Sequence, residues 1–381
     1  MAAPDAVNRH MVVIMMRGAV DGLSIVVPYR ERNYYMSRPG IAIDAPGTSS
    51  GLNDLDGFFG LHPSLASLMP LWQNRSLAFI HASGSPAETR SHFEAQDIME
   101  TAMLNSAMAR QGWMNGLAQM LPDNGAPTRT LSFGNTLPKI FQGRYNVSTV
   151  PNNIQANGKP ENPQLAQQFS QMYGNQSELG SLYKQALSAR DTEMQDLQSE
   201  MASANQGAPN TDAFVTESTK VAAMIRRDPR IQLVFMDVGG WDTHVSQGNG
   251  KGGQLANRLD KLGQGLAAMA QNLGDEYRNT AILVMSEFGR TVAQNGNAGT
   301  DHGHGNVAWL MGGSVSGGKV YSRWPGLNPN QLWEGRDLAV TTDFRSVIGA
   351  VIAGQFGVDD ERMAQIIPDY RADRNLQGLI T

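Results

Sequence analysis

The sequence predicts an α/β domain built on a mostly parallel central sheet. Three observations carry that expectation. Residues 11–16 form an unbroken apolar run with β-branched Val12, Val13 and Ile14, the pattern of a strand buried on both faces. Two further apolar runs, 231–236 and 280–285, are separated by one amphipathic helix, and strand–helix–strand in that order makes a parallel unit. Chemistry-bearing residues gather just after these runs, where ligand sites of open α/β sheets are built.

Taken in order, residues 77–81 read as the second strand, and the Gly84, Ser85, Pro86 turn leads into a helix beginning near Thr89. Leu255, Leu259, Leu262, Leu266, Met269 and Leu273 recur at spacings of four and three, so the crossover helix has one apolar face. Residues 307–311 are another strand, and Thr342 with Asp343 opens a helix through Val351, Asp343 acting as its cap. From 151 to 210 the composition shifts to Gln, Asn, Ser and Met with weak helical periodicity. That stretch is expected to be a helical insertion in a domain spanning 8–381. It either shapes a substrate entrance or only covers the sheet edge.

The bulk properties exclude several classes. A net charge of −5 offers no electrostatic footprint for nucleic acid. No apolar run approaches the roughly 18 residues of a membrane span. Without cysteine there are no disulfides, thiolate metal ligands or thiol nucleophiles. Residues 1–6 lack the basic and apolar regions of a secretory leader.

Four of the seven histidines fall in three clusters: Thr89, Arg90, Ser91, His92; Asp242, Thr243, His244; and Asp301, His302, Gly303, His304. Carboxylate oxygen mixed with imidazole suits a divalent ion, Zn or Mn before Mg. Asp21, just past the first strand, is a candidate ligand or a turn aspartate capping the next segment. Asp242 and His244, two apart in extended backbone, can face one ion, or the aspartate can orient the imidazole. Asp301, His302 and His304 are the most specific local signal, although a His-rich surface loop remains the plainer alternative. Glu287 is a further ligand or base, or else the ion-pair partner of Arg290. Ser91, or Thr89 two residues earlier, supplies a hydroxyl at a helix start, and either it or a simple cap explains the position. Arg90 could clamp an oxyanion there and His92 contact the substrate. His62 reads as a structural histidine.

Five phrases carry a family resemblance: Arg17 to Leu23, Thr89 to Gln96, Gly239 to His244, Ser286 to Thr291, and Asp301 to Asn306. Together they resemble a bacterial family of uncharacterised function, DUF1501, and more distantly the alkaline phosphatase and sulfatase superfamily. The resemblance implies a three-layer α/β sandwich of the alkaline phosphatase type, with one or two metal ions flanking a hydroxyl nucleophile. On it, Asp21 matches a first-strand metal ligand and Ser91 the nucleophile. Asp242 and His244 match the ligands of the other metal, which His302 or His304 completes. At Glu287 and Phe288 the superfamily ordinarily has Asp and His, so the second metal depends on His92 or Asp301 filling the gap. The close family often bears a twin-arginine leader, which implies a periplasmic or secreted protein whose leader is absent from this chain. The implied activity is metal-dependent hydrolysis or transfer of phosphate or sulfate esters on a small anionic substrate. A non-catalytic secreted binding protein on the same fold is the alternative, and a phosphosugar-acid mutase a third.

Overall fold

The computed structural model describes residues 8–126, 128–151 and 199–381. The strands of the central sheet are β1 (His10–Met16), β2 (Leu77–Gly84), β3 (Thr130–Phe133), β4 (Ser148–Val150) and β5 (Leu233–Val238), followed by β6 (Thr280–Ser286), β7 (Asn306–Met311), β8 (Lys319–Tyr321) and β9 (Thr342–Asp343). Their order across the sheet is β8-β2-β7-β6-β1-β5-β3-β4, with β9 also on β2. Strand β1 pairs in parallel with β5 and β6. Only β7 runs against the rest, antiparallel to both β6 and β2. The expected mostly parallel sheet is present.

Helices cover both faces: α1 (His92–Thr101), α2 (Trp113–Met120), α3 (Phe214–Arg227), α4 (Gln254–Leu273), α5 (Phe344–Phe356) and α6 (Asp360–Ile366). The alternation along β1 shows how three layers follow from one apolar run. Met11, Val13 and Met15 enter the core shared with α1, α2, α5 and α6. Val12, Ile14 and Met16 enter the opposite core, with α3 and α4. All six apolar positions predicted for the crossover helix are buried on α4, each contributing roughly 1.5–3 kcal/mol. That helix joins β5 to β6 across β1, the parallel crossover the sequence implies.

Differences in boundaries have local causes. The strand expected at 231–236 runs instead to Val238, because Asp237 is paired with Arg17 at 2.9 Å and its charge does not end the strand. The helix expected near Thr89 begins at His92 with Ser91 as its cap, since the Thr89 hydroxyl accepts from Ser91 N and donates to Glu94. Asp343 caps α5 as expected, accepting from Arg345 N. His62 is structural, its Nδ1 accepting from Ser64 N. Most of the expected insertion, 152–198, lies outside the described residues.

Candidate metal centre

The carboxyl ends of β1, β2, β5 and β6 open at one sheet edge, and because β7 is reversed, the loop leaving β6 returns there to its amino end. Four loops therefore meet. Two of them meet backbone to backbone at Gly18 (φ +115°), where a Cβ would stand 2.7 Å from Asp242 N; only glycine serves in that conformation. Arg290, fully buried, ties the loops together. Its guanidinium donates to the carbonyls of Ala19 at 2.6 Å, Gly18 at 2.7 Å and Thr300 at 3.1 Å, and pairs with Asp242 Oδ1. Asp242 is thereby fixed before any ligand arrives.

Three imidazoles converge on that carboxylate. His302 Nε2 lies 3.0 Å from Nε2 of His92 and 3.0 Å from Nε2 of His244. Asp242 Oδ1 is 2.9 Å from His244 Nε2 and 3.5 Å from His302 Nε2, and its Oδ2 is 3.5 Å from His92 Nε2. The ligand atoms of His92, Asp242 and His302 all lie within 4.8 Å of one another. Around an ion at 2.0–2.1 Å, tetrahedral donors stand about 3.3 Å apart, so these separations match a shared ion.

The opposite side of each ring decides the chemistry. His92 Nδ1 is 2.9 Å from Glu287 Oε1, His244 Nδ1 is 3.1 Å from Asp301 Oδ1, and His302 Nδ1 is 3.0 Å from the carbonyl of Arg90. A carbonyl or carboxylate only accepts, so each Nδ1 carries a proton, and in the neutral ring each Nε2 presents a lone pair. Three lone pairs and a carboxylate facing one another repel unless a proton or a metal cation lies between them. Such outer carboxylates and carbonyls are how proteins orient metal-binding histidines. Asp242 Oδ2 is buried and, among the described residues, accepts no hydrogen bond, a cost that a bound cation removes. Imidazole with carboxylate fits a borderline divalent ion such as Zn or Mn.

The polypeptide alone draws positive charge to this point. Burial pulls His92 down, yet Asp242 and Glu287 outweigh it and raise the imidazole to about 9. Burial likewise opposes the charge on Asp242, but His244, His302, His92 and Arg290 hold its carboxyl far below the usual range. His302 is lowered, first by burial and also by Arg290 and His92.

Several residues expected in the site stand elsewhere. The two oxygens of Asp21 are held by Arg38 at 2.6 and 3.0 Å, with Ser24 and Gln247 also donating, all buried. A guanidinium thus takes the place of a metal there. Glu287 and Asp301 face the outer nitrogens of His92 and His244, one step behind the donor atoms. His304 stacks on Trp333, with ring centroids 4.8 Å apart. Arg90 Nη2 pairs with Glu334 and Asp337. Arg290 pairs with Asp242, not with Glu287. His92, expected to contact the substrate, instead belongs to the donor set.

The hydroxyls separate as well. That of Thr89 is spent on Glu94, whereas Ser91 is exposed and its side chain makes no capping bond. Sequence reasoning missed Arg38, Gln247 and Gln96. Gln96 bridges Arg17 at 2.6 Å to Glu287 at 2.9 Å, and the phrase from Thr89 to Gln96 contained it without giving it a role. It also missed Glu200, whose carboxylate reaches to 3.9 Å from His302 Nε2.

Residues 8–369 match the model of a family described as a protein of unknown function, DUF1501. The chain belongs to that family. No curated protein matches it. Among solved structures, it is similar to the zinc complex of the C-terminal periplasmic domain of EcEptC from Escherichia coli, at 9% identity and TM-score 0.44, covering 97% of this chain and 90% of that one. It is also similar to the lipoteichoic acid synthase LtaP from Listeria monocytogenes, at 7% identity and TM-score 0.43, over 98% and 78% of the two chains. A third similar structure is Ps i-CgsB in complex with k-i-k-neocarrahexaose, at 12% identity and TM-score 0.43, over 93% and 73%. Among the described residues of this DUF1501 chain, no helix is long and apolar enough to cross a membrane.

Proposed function

We propose that the protein is a metal-dependent hydrolase, or related transferase, of phosphate or sulfate esters, with one ion held by His92, Asp242, His244 and His302. The observation that carries this reading is the convergence of three oriented lone pairs on a carboxylate already fixed by Arg290. Bound there, Zn or Mn would lower the pKa of a nearby hydroxyl and offset charge developing on an oxyanion.

Ser91 supplies the hydroxyl. It directly precedes the ligand His92, is free of capping bonds, and stands at the positive end of α1, which favours an anionic group. Its Oγ bonds to phosphorus or sulfur as the bond to the ester oxygen breaks, and the alcohol leaves with the proton that Ser91 gives up. Water then cleaves the seryl ester, restoring the hydroxyl and releasing the inorganic anion. An exported, periplasmic or secreted location accompanies this reading, resting on the family resemblance.

One observation favours the alternative of a non-catalytic binding protein: four protein donors fill a tetrahedral shell, as in structural sites. The two separate experimentally. Metal content is measured by elemental analysis, and turnover of aryl phosphate and aryl sulfate is compared in wild type and Ser91→Ala. Metal in both with turnover only in wild type is the expected result. Metal in both with turnover in neither overturns the enzyme reading.

A further inference from the structure

Arg258 lies near the start of α4, beside the loop that delivers Asp242 and His244. Gly240 (φ +92°) leaves room for it, since a Cβ there would come within 3.1 Å of Arg258 Nε. Arg258 Nη1 is buried and, among the described residues, has no hydrogen-bond partner. The arginines fully buried near this edge each have a carboxylate: Arg17 has Glu100 and Asp237, Arg38 has Asp21, and Arg290 has Asp242. Arg258 makes no ion pair among the described residues. Burial pulls its pKa down, and Asp242, already committed to Arg290 and the histidines, is the acidic group that acts on it through space.

A half-desolvated guanidinium without acceptors is costly. Its planar fork of donors matches the oxygens of a tetrahedral or carboxylate anion. We propose that Arg258 is the anion-binding residue of this site. It grips one side of a phosphate or sulfate group whose remaining oxygens face the histidine cluster. The inference rests on the ester reading for its choice of anion.

The test uses the metal-loaded full chain, with inorganic phosphate and sulfate as probes in calorimetric titration. Arg258→Met is expected to weaken phosphate binding roughly ten- to a hundredfold, the loss of a charged hydrogen-bond pair. Arg258→Lys should lose less, and metal content should match wild type in both. Thermal melts should show Arg258→Met at or above the wild-type midpoint, because the orphaned cation is gone. Unchanged phosphate affinity in Arg258→Met overturns the proposal, as does metal-loaded wild type that binds neither anion. A lowered midpoint also counts against it, by revealing a structural role. If phosphate binds through Arg258 but no ester is turned over, the catalytic reading fails and the anion site stands.

Discussion

Replacing Glu287 with glutamine is expected to weaken metal binding about tenfold without disturbing the fold. Glu287 Oε1 accepts from Gly18 N at 2.8 Å, Gln96 Nε2 at 2.9 Å and His92 Nδ1 at 2.9 Å, while Oε2 lies 2.9 Å from the Ser286 hydroxyl. A glutamine can keep its oxygen at the Oε1 position and donate its amide to Ser286 Oγ, whose own proton then goes to the Met16 carbonyl 2.7 Å away. Shape and hydrogen-bond count survive, and only the negative charge behind His92 is lost. A hydrogen bond to a charged group contributes about 1.5–3 kcal/mol against about 0.5–1.5 for a neutral one. The difference, about 1–1.5 kcal/mol, corresponds to roughly a factor of ten in affinity. The assay is competition for Zn against a chromophoric chelator at pH 7.5, with Asp242→Asn and His302→Ala alongside. Those two remove donor atoms and should lose far more than tenfold. If Glu287→Gln binds like wild type, its carboxylate does not orient His92. If it loses as much as the donor variants, Glu287 is itself a ligand and the assignment of His92's outer partner is wrong.

Arg38→Met should destabilise the protein by roughly 3–5 kcal/mol in urea unfolding, because it leaves the buried Asp21 charge unpaired, and adding Asp21→Asn should recover much of that loss. A cost below about 1 kcal/mol would contradict the view that Asp21 is spent on this pair. Stability should also fall as pH drops from 6.5 to 4. His81 Nδ1 accepts from Ala82 N and His62 Nδ1 from Ser64 N, so the folded state needs both rings neutral, and burial lowers each to about 4. Their contribution is complete above the unfolded value of 6.5 and erodes as pH falls toward 4, by about 3 kcal/mol at most for each ring. Thermal midpoints against pH would check this, and a His81→Gln variant with an undiminished slope would refute the role given to His81.

Much of the scaffold was legible because its signals are local. The run at 11–16 could only be a strand covered on both sides, and the leucine spacing on α4 defined its buried face residue by residue. The direction of β7 was not legible, since alternation looks the same for parallel and antiparallel strands. The three histidine clusters were likewise visible, but which nitrogen or oxygen of each residue faces the centre depends on partners far along the chain. His92 is oriented by Glu287 and His302 by the carbonyl of residue 90. No spacing rule contains those pairings. Asp21 and Arg38 show the same gap: a carboxylate after a strand looks equally ready for a metal or for a guanidinium seventeen positions later, at the end of the short helix Arg32–Ser37.

The reversal of β7 has an evolutionary corollary. Residues 287–305 leave β6 and come back on the same rim, needing no helix to carry them beneath the sheet. Their outer portion, Asn295 to Ala298, holds the His244 loop, with Asn295 Nδ2 donating to the His244 carbonyl at 2.9 Å and the Asn297 and Ala298 carbonyls accepting from Ser246 N and Gln247 N, so changing it reshapes the approach to the histidines while the strand pairing on either side stays in register. Relatives could diversify what approaches the histidines by editing this one span, with the load borne by a scaffold that never registers the change.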